Sequence, residues 1–381
     1  MRAGNDTTRD INRRVILNLV RSRQPASRAD LARYSGLQRS TVSLIVDQLL
    51  AAGWLIEGPT GRLPRGRRPV YLRLNERRAV IAIDIRPGDT TLAAADVNGR
   101  FLSQQIFPTP RNPHAGLKSL AAKARALIAA HGHLVFEGIG VSLPGRVDSA
   151  TGRLIFAPNL KWGPCDIAAP LARATGLSVA LENAANACAL AQAWSSGGRP
   201  ADLVVITVSE GIGAGIFANG QLVRGPRGMA GEFGHSVLDP GGPRCSCGNC
   251  GCWEVFASNR AAIRYYLEQG NGGRAPTYPD LLALAEQGDS RAFAALQRQA
   301  AYLARGAGLL ANGLAPARLV FVGEIARAWD RLGPVVEKEV AARSLAGRRV
   351  QVSAADDGAQ ARLRGTVALV LQRYFAMPSY T

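Results

Sequence analysis

The sequence lacks any apolar run of about 20 residues, the length that a helix needs to span a bilayer. Its N-terminal segment, MRAGNDTTRDINRR, also lacks the apolar region of a secretory signal. We therefore expect a cytoplasmic chain without membrane insertion. A length of 381 residues exceeds what one small core needs and favours about two or three domains.

Cysteine is scarce, and its distribution is uneven. Four of the 6 cysteines fall within the segment CSCGNCGCWE, residues 245–254. In a reducing compartment, such a cluster is more often a set of thiolate ligands than a disulfide pair. The segment therefore favours a metal site, with a disulfide as the alternative.

Lysine is absent from residues 1–78, which hold 16 arginines against 6 acidic residues. This gives +10 of the chain's net charge of +18 to about one fifth of its length. A solvated basic face would explain such an excess, but its uneven placement favours a polyanionic partner. Nucleic acid is the commonest polyanion in the cytoplasm.

Residues 11–53 have the pattern of helices separated by a tight turn. The first helix, INRRVILNLVRS, has one helical stripe formed by Ile11, Val15 and Leu19 with their neighbours Ile16 and Val20. Ser27 and Asp30 have the spacing of a capping box that begins a short helix, and Gly36 ends it. A second helix, QRSTVSLIVDQLLAAG, turns its apolar residues inward. Three polar residues near its N-terminus remain on the outer face: Arg39, Ser40 and Ser43.

The following segment, GWLIEGPTGRLPRGRRPVYLRLN, contains two strand-like runs, Trp54–Glu57 and Val70–Leu74, joined by a basic loop. Together these elements have the layout of a winged helix-turn-helix, whose second helix enters the major groove. PRGRRP in the loop is similar to the Arg-Gly-Arg element that lies in A·T-rich minor grooves. We therefore predict operator DNA as a partner; a winged helix that binds protein is the alternative. The candidate DNA contacts are Arg28, Gln38, Arg39, Ser40, Thr41, Ser43, Arg65, Arg67 and Arg68.

After the winged helix, strands and helices alternate, which indicates an α/β fold. Val80–Ile85 and Thr91–Asp96 have strand patterns, and FEGIGVSLPG, SVALEN and RLVFVG follow later. Helices are predicted near residues 166–175 and 186–194, and residues 259–314 are mostly helical.

Five motifs occur in order along this α/β region: GVSLPGRVD, ENAANACALAQAW, GIGAGIFANGQLVRG, MAGEFGH and CSCGNCGCWE. With this order and spacing the chain resembles the ROK family of repressors and sugar kinases over essentially its whole length. The N-terminal winged helix matches the repressor branch of that family. The resemblance implies a winged helix-turn-helix followed by a two-lobed, actin-like (ribonuclease H-like) sugar-kinase fold.

Domain boundaries follow from the resemblance. The winged helix would occupy residues 1–76 and the first α/β lobe residues 77–182, joined by a C-terminal helix at about 360–381. The second lobe, with the metal site and the sugar pocket, would occupy residues 183–359.

The resemblance assigns a structural Zn²⁺ to His235, Cys245, Cys247 and Cys252. Three thiolates and one imidazole make a closed tetrahedral set, which leaves no position for a reacting water. Gly248 and Gly251 would let the chain fold back so that three sulfurs share one ion. A catalytic zinc is the alternative, and the role of the remaining thiol, Cys250, stays open.

A sugar pocket is implied as well, and its candidate residues are Gly145, Asn159, Asn183, Glu232, His235 and Glu254. Carboxylate oxygens and imidazole suit vicinal hydroxyls because each accepts directionally from an O–H group. A metal on one ring nitrogen of His235 would fix the orientation of the other. Taken alone, Glu232 or Glu254 would be a surface acid.

The sequence predicts no enzyme activity and no catalytic residue. ROK kinases deprotonate the sugar hydroxyl with an aspartate where this chain has Ala184. The first phosphate loop carries Arg86 and Pro87, and the second carries Glu210. Val322 replaces one of the paired glycines expected near the nucleotide.

These features predict a sugar-responsive transcriptional regulator, a repressor of carbohydrate genes. It would bind a pseudo-palindromic operator as a homodimer or tetramer, and a sugar bound between the lobes would change operator affinity. A sugar kinase with residual activity is one alternative. A repressor controlled by a protein partner is the other.

Overall fold

The computed structural model describes residues 8–60, 68–195, 202–270, 275–345, 350–355 and 360–376. They form two compact units. The first comprises the described residues of Met1–Glu182, Trp194–Arg199 and Thr366–Thr381, and the second those of Asn183–Ala193 and Pro200–Gly365. None of the described helices combines the length and apolar character that crossing a bilayer requires.

The N-terminal part of the first unit, here called the head, contains three helices and a three-stranded antiparallel sheet. These elements are α1 (Thr8–Arg23), β1 (Ala26–Ser27), α2 (Arg28–Ser35), α3 (Arg39–Ala51), β2 (Leu55–Thr60) and β3 (Val70–Leu74). The sheet order is β1-β3-β2. Ser27 and Asp30 form the predicted capping box, and Gly36 ends α2 at a φ of 71°. The head is therefore a winged helix-turn-helix.

The rest of the first unit is built on a five-stranded sheet with a small three-stranded sheet beside it. Its elements are β4 (Arg78–Ile85), β5 (Asp89–Asp96), β6 (Phe101–Pro108), α4 (Pro113–Ala130), β7 (Val135–Leu143), β8 (Arg146–Asp148), β9 (Arg153–Phe156), β10 (Cys165–Asp166), α5 (Ala168–Thr175) and β11 (Val179–Asn183). The large sheet has the order β11-β7-β4-β5-β6, and β4 and β7 are parallel. Its central strands β4 and β7 are buried on both faces and are mostly apolar, with Asp84, Glu137 and Ser142 as buried polar residues.

The second unit has its own five-stranded sheet, covered by helices. Its elements are α6 (Ala184–Ser195), β12 (Leu203–Val208), β13 (Ile212–Ala218), β14 (Gln221–Leu222), α7 (Trp253–Ala257), α8 (Asn259–Leu267), α9 (Tyr278–Glu286), α10 (Ser290–Leu314), β15 (Arg318–Gly323), α11 (Trp329–Arg343) and β16 (Gln351–Ala354). The strand order is β14-β13-β12-β15-β16. Trp253, Tyr265 and Phe321 are its largest fully buried side chains.

A final helix, α12 (Ala361–Phe375), brings its C-terminal end to the head. The Trp54 ring lies 4.3 Å from the Tyr374 ring, centroid to centroid, and Asn18 Nδ2 donates to the Phe375 carbonyl at 2.6 Å. Arg78 lies over the same Trp54 ring and forms an ion pair with Glu137. Aromatic and polar contacts thus join the head to the rest of the first unit.

This contact explains a difference from the predicted α1 stripe. Ile16, Leu17 and Val20 are the buried residues of α1, whereas the predicted Val15 and Leu19 are half-buried. The predicted stripe assumes that α1 packs against its neighbours on one side only. In the structure the end of α12 also lies against α1, so the burial pattern is not that of a helix packed on one side only.

Candidate functional site

The second unit brings the four predicted metal ligands together. The ligand atoms of His235, Cys245, Cys247 and Cys252 all lie within 4.8 Å of one another. His235 Nδ1 is 3.5 Å from Cys245 Sγ, and the Sγ atoms of Cys247 and Cys252 are 3.6 Å apart. The arrangement leaves Nε2 as the ring nitrogen that does not face Cys245.

The loop that carries these ligands is held by backbone pairing and by one sterically required glycine. Val237 and Cys252 form an antiparallel bridge, and the Trp253 N–H donates to the Ser236 carbonyl at 2.8 Å. Gly251 has a φ of +67°, and a Cβ there would lie 1.5 Å from the Asp239 carbonyl oxygen. No other residue fits at this position. Glycine here lets the chain fold back on the segment that carries His235, called the histidine segment below.

The surroundings of the clustered thiols shift their pKa values. Burial raises the pKa of Cys252 to about 12 and also raises the pKa of Cys245. The backbone N–H of Asn249 lowers the pKa of Cys247. Three sulfurs and an imidazole nitrogen converge here, a donor set that fits a closed Zn²⁺ site. Cys250 is exposed and is not among the four clustered ligands.

Both acids predicted to contact sugar lie beside this cluster. Glu232 begins the short 3₁₀ helix Glu232–His235, and its Oε2 is 4.0 Å from His235 Nε2. Glu254 lies on α7, and its Oε1 accepts from the Cys245 thiol at 3.1 Å and lies 3.7 Å from His235 Nδ1. Glu232, with 52% of its side chain exposed, is the more accessible acid, whereas Glu254 is 18% exposed.

Strand β13 packs against both the start of α6 and the histidine segment. A Cβ on Gly215 would lie 2.4 Å from the Ala185 carbonyl oxygen, and one on Gly231 would lie 2.2 Å from that of Ala214. Glycines thus allow α6 on one side and the histidine segment on the other to approach this strand. Asn183, just before α6, accepts from the Asn186 N–H through Oδ1 at 2.8 Å and so caps the helix.

Gly145 and Asn159, the other predicted sugar contacts, lie in the first unit. Gly145 has a φ of +91°, and a Cβ there would lie 2.1 Å from the Phe156 carbonyl oxygen, so packing alone requires glycine. Asn159 is exposed on a short 3₁₀ helix, Pro158–Leu160. Their contact with sugar stays a prediction.

In each of the two segments predicted to be degenerate phosphate loops, a charged side chain forms an ion pair. In the first loop, Arg86 Nε is 2.6 Å from Oδ2 of Asp84, which is fully buried. In the second, Glu210 Oε2 is 2.6 Å from Arg260 Nε. Arg260 was not predicted as a partner of Glu210, because the two residues are 50 positions apart and no local pattern links them.

The candidate DNA interface is the outer side of α3. Gln38, Arg39 and Ser40 are exposed at its N-terminal end, and Thr41 and Ser43 are half-buried. Four apolar residues occupy the opposite, buried side: Val42, Ile45, Val46 and Leu49. The helix therefore has the two faces that insertion into a groove requires.

The remaining predicted DNA contacts differ in their surroundings. Arg28 NH1 donates to Asp47 Oδ1 at 2.7 Å and to the Ser43 carbonyl at 3.3 Å, so its guanidinium braces α2 against α3. Arg68 is exposed at the edge of the wing. Arg65 and Arg67 lie outside the described residues.

Comparison with known proteins gives matches along the whole chain. A family model described as ROK family matches residues 80–373. The xylose repressor of Bacillus subtilis (strain 168) is 28% identical over 380 residues, covering 96% of this chain and 96% of the repressor. The DNA-binding transcriptional dual regulator NagC of Escherichia coli (strain K12) is 28% identical over 369 residues, covering 91% and 88%.

Solved structures match either nearly the whole chain or about three quarters of it. A ROK family transcriptional regulator, a homologue of the E. coli MLC protein, superposes with a TM-score of 0.82 at 25% identity and covers 97% of each chain. A ROK family glucokinase from Streptomyces griseus, solved with glucose and AMPPNP, has a TM-score of 0.67 at 28% identity, covering 77% of this chain and 99% of the kinase. The predicted fold class, a winged helix-turn-helix followed by an actin-like sugar-kinase fold, is confirmed.

Proposed function

Because the chain belongs to the ROK family, we propose that it is a sugar-responsive transcriptional regulator that represses carbohydrate genes by binding operator DNA. One observation carries this conclusion. A winged helix with an exposed polar tip on α3 shares a chain with a kinase-like body that has Ala184 in place of the family's catalytic aspartate. Relatives named xylose repressor and NagC match both parts.

His235, Cys245, Cys247 and Cys252 would hold a structural zinc ion. When bound, the ion supplies a rigid crosslink among three thiolates and an imidazole. With Nδ1 committed to the cluster, His235 presents Nε2, and Glu232 Oε2 lies 4.0 Å from that nitrogen. At this spacing, the carboxylate would accept a hydrogen bond from one sugar hydroxyl, and the imidazole would accept from or donate to a neighbouring hydroxyl of the same sugar.

The phosphate loops support a binding role without phosphoryl transfer. The buried Asp84 is paired with Arg86, so a cation already occupies its side. Glu210 holds Arg260 in an ion pair beside the second loop, so the charge of that arginine is already compensated before any triphosphate arrives. With Ala184 no side chain at the expected position can take the proton of the sugar hydroxyl. We propose that the chain has no kinase activity.

Regulation would follow from a population shift. A sugar that favours one arrangement of the body changes the spacing of paired heads in a homodimer, and operator affinity falls. A coupling free energy of about 1–3 kcal/mol would change affinity roughly 5- to 150-fold.

DNA binding is tested by fluorescence anisotropy with duplexes selected from a random-sequence library by the full chain. If Arg39 contacts a base, we expect Arg39→Ala to weaken binding by about 1–3 kcal/mol. If it contacts a phosphate, the substitution should instead lower by about one the slope of log binding constant against log salt concentration. Arg125→Ala, which removes the same charge from exposed α4, is the matched control and should change neither. If no duplex is enriched, the chain is not a DNA-binding protein.

Sugar response is tested on the same duplex by titrating a panel of free and phosphorylated sugars. At least one should shift operator affinity, and Glu232→Gln should weaken that effect. An ADP-release assay with ATP and the same panel tests the absence of kinase activity. Turnover by the unmodified chain would show that it is a sugar kinase, whereas no turnover and no sugar effect on DNA binding would favour control by a protein partner.

A further inference from the structure

An exposed leucine lies in the middle of the outer face of α3. A helix turns by about 100° per residue, so the stripe opposite the buried residues runs through Ser40, Leu44, Asp47 and Ala51. All four are exposed, and Leu44 has 60% of its surface exposed. It is the large apolar side chain of a stripe otherwise made of small or polar residues.

The acid on this stripe has a counter-ion within the head. Asp47 Oδ1 accepts from Arg28 NH1 at 2.7 Å, and Arg28 NH2 also lies 3.8 Å from Glu57. A lone carboxylate beside Leu44 would repel DNA phosphates. With Arg28 in place, the repulsion is reduced and the stripe can approach a polyanion. Arg28 thus has a positioning role that the sequence did not indicate.

Base edges in the major groove offer hydrogen-bond donors and acceptors and one apolar group, the C5-methyl of thymine. Leu44 is one helical turn beyond Ser40, in the N-terminal half of α3, which is the part of a recognition helix that meets base edges. We infer that Leu44 packs on the C5-methyl group of a thymine and makes the protein selective for thymine at that position. This rests on the proposed DNA-binding function and adds a specificity residue to it.

The test replaces single thymines by deoxyuridine, which keeps base pairing and removes only the methyl group. The duplex is one selected from the random-sequence library by the full chain, with each dT changed to dU in turn. For the unmodified chain we expect at least one thymine per half-site at which the change weakens binding about fourfold, the effect of losing one buried methyl group. Leu44→Ala should bind the dT duplex more weakly and show a dT/dU affinity ratio of about one there.

Leu345→Ala is the matched control, because Leu345 is 77% exposed on the second unit, outside the head. It should leave the dT/dU ratio of the unmodified chain unchanged. A ratio that survives in Leu44→Ala, or the absence of any methyl-sensitive thymine, overturns the assignment while DNA binding itself stands. A change in oligomeric state by Leu44→Ala would assign the side chain to protein contact instead. If the full chain enriches no duplex, the proposed DNA-binding function is overturned, and the assignment of Leu44 is overturned with it.

Discussion

Arg86 is held against Asp84, with 2.6 Å between Nε of the arginine and Oδ2 of the aspartate. The carboxylate is fully buried, whereas the arginine side chain is 32% exposed. The buried carboxylate thus has a cation two residues further along the chain as one of its partners. The pair links the segment predicted to be the first phosphate loop to the stability of the first unit.

Arg86→Ala should lower the free energy of unfolding by about 1–3 kcal/mol, because a buried carboxylate loses its charged donor. Urea unfolding measures the change. Arg260→Ala is the comparison: it removes an ion pair of the same length, but those side chains are 60% and 54% exposed. We expect that variant to lose less than about 1 kcal/mol. Equal losses in both would contradict the role assigned to burial.

The candidate metal centre is tested by removing one sulfur at a time. Cys247→Ser should abolish stoichiometric zinc and lower the melting temperature, because a closed four-ligand site binds poorly with three ligands. Zinc content is measured by elemental analysis after dialysis. Cys250→Ser alters the neighbouring thiol outside the cluster and should retain the metal. Zinc loss in both variants would mean that the ligand set is misassigned.

Local patterns predicted much of the head and of the metal centre. The apolar spacing in α3 identified Val42, Ile45, Val46 and Leu49 as buried, whereas Leu50, also predicted to face inward, is half-buried. The Ser27–Asp30 capping box forms as expected. Both depend on residues a few positions apart, for which helix geometry fixes the contacts. The ROK motifs are also local, and the family membership that they predicted is confirmed.

Contacts between distant segments were not predictable in the same way. β1 has only 2 residues, too few for any periodicity, and it forms because β3 lies beside it. The Glu210–Arg260 ion pair joins residues 50 positions apart. No functional role was predicted for Leu44, because a leucine in an amphipathic helix is usually a packing residue and its 60% exposure is seen only in the structure.

Gly306, in the middle of α10, faces the tryptophan that follows the last cysteine ligand. A Cβ at this position would lie 2.0 Å from the Trp253 ring, and Trp253 is 1% exposed with its indole N–H bonded to the Tyr302 carbonyl at 2.9 Å. The ring would have to shift, and Cys252 is its covalent neighbour. We expect Gly306→Ala to cost about 1–3 kcal/mol of stability and to weaken zinc binding.

Gly313→Ala is the matched control for Gly306→Ala, because Gly313 is on the same helix and has no atom within 4 Å of an added Cβ. Alanine there should stabilise the protein by about 0.5–1 kcal/mol through helix propensity. Zinc affinity is measured by competition with a chelator, and stability by urea unfolding. Unchanged zinc affinity in Gly306→Ala would show that the ring and the metal centre are not coupled.

The capping box of α2 should make the head less stable in acid. Hydrogen bonds from the Ser27 hydroxyl and N–H hold the pKa of Asp30 below its ordinary value. A depressed folded-state pKa means that the carboxylate stabilises the head above the unfolded pKa of about 3.9, and that this contribution is lost as pH falls through the folded value. Asp30→Asn keeps an acceptor but removes the charge, so it should lower stability by about 0.5–1 kcal/mol near neutral pH and by less near pH 3.

Urea unfolding of both chains across this range measures the difference, with Ser22→Ala, an exposed serine of α1, as a pH-independent control. A difference that stays constant down to pH 3 would mean that the charge of Asp30 does not stabilise α2.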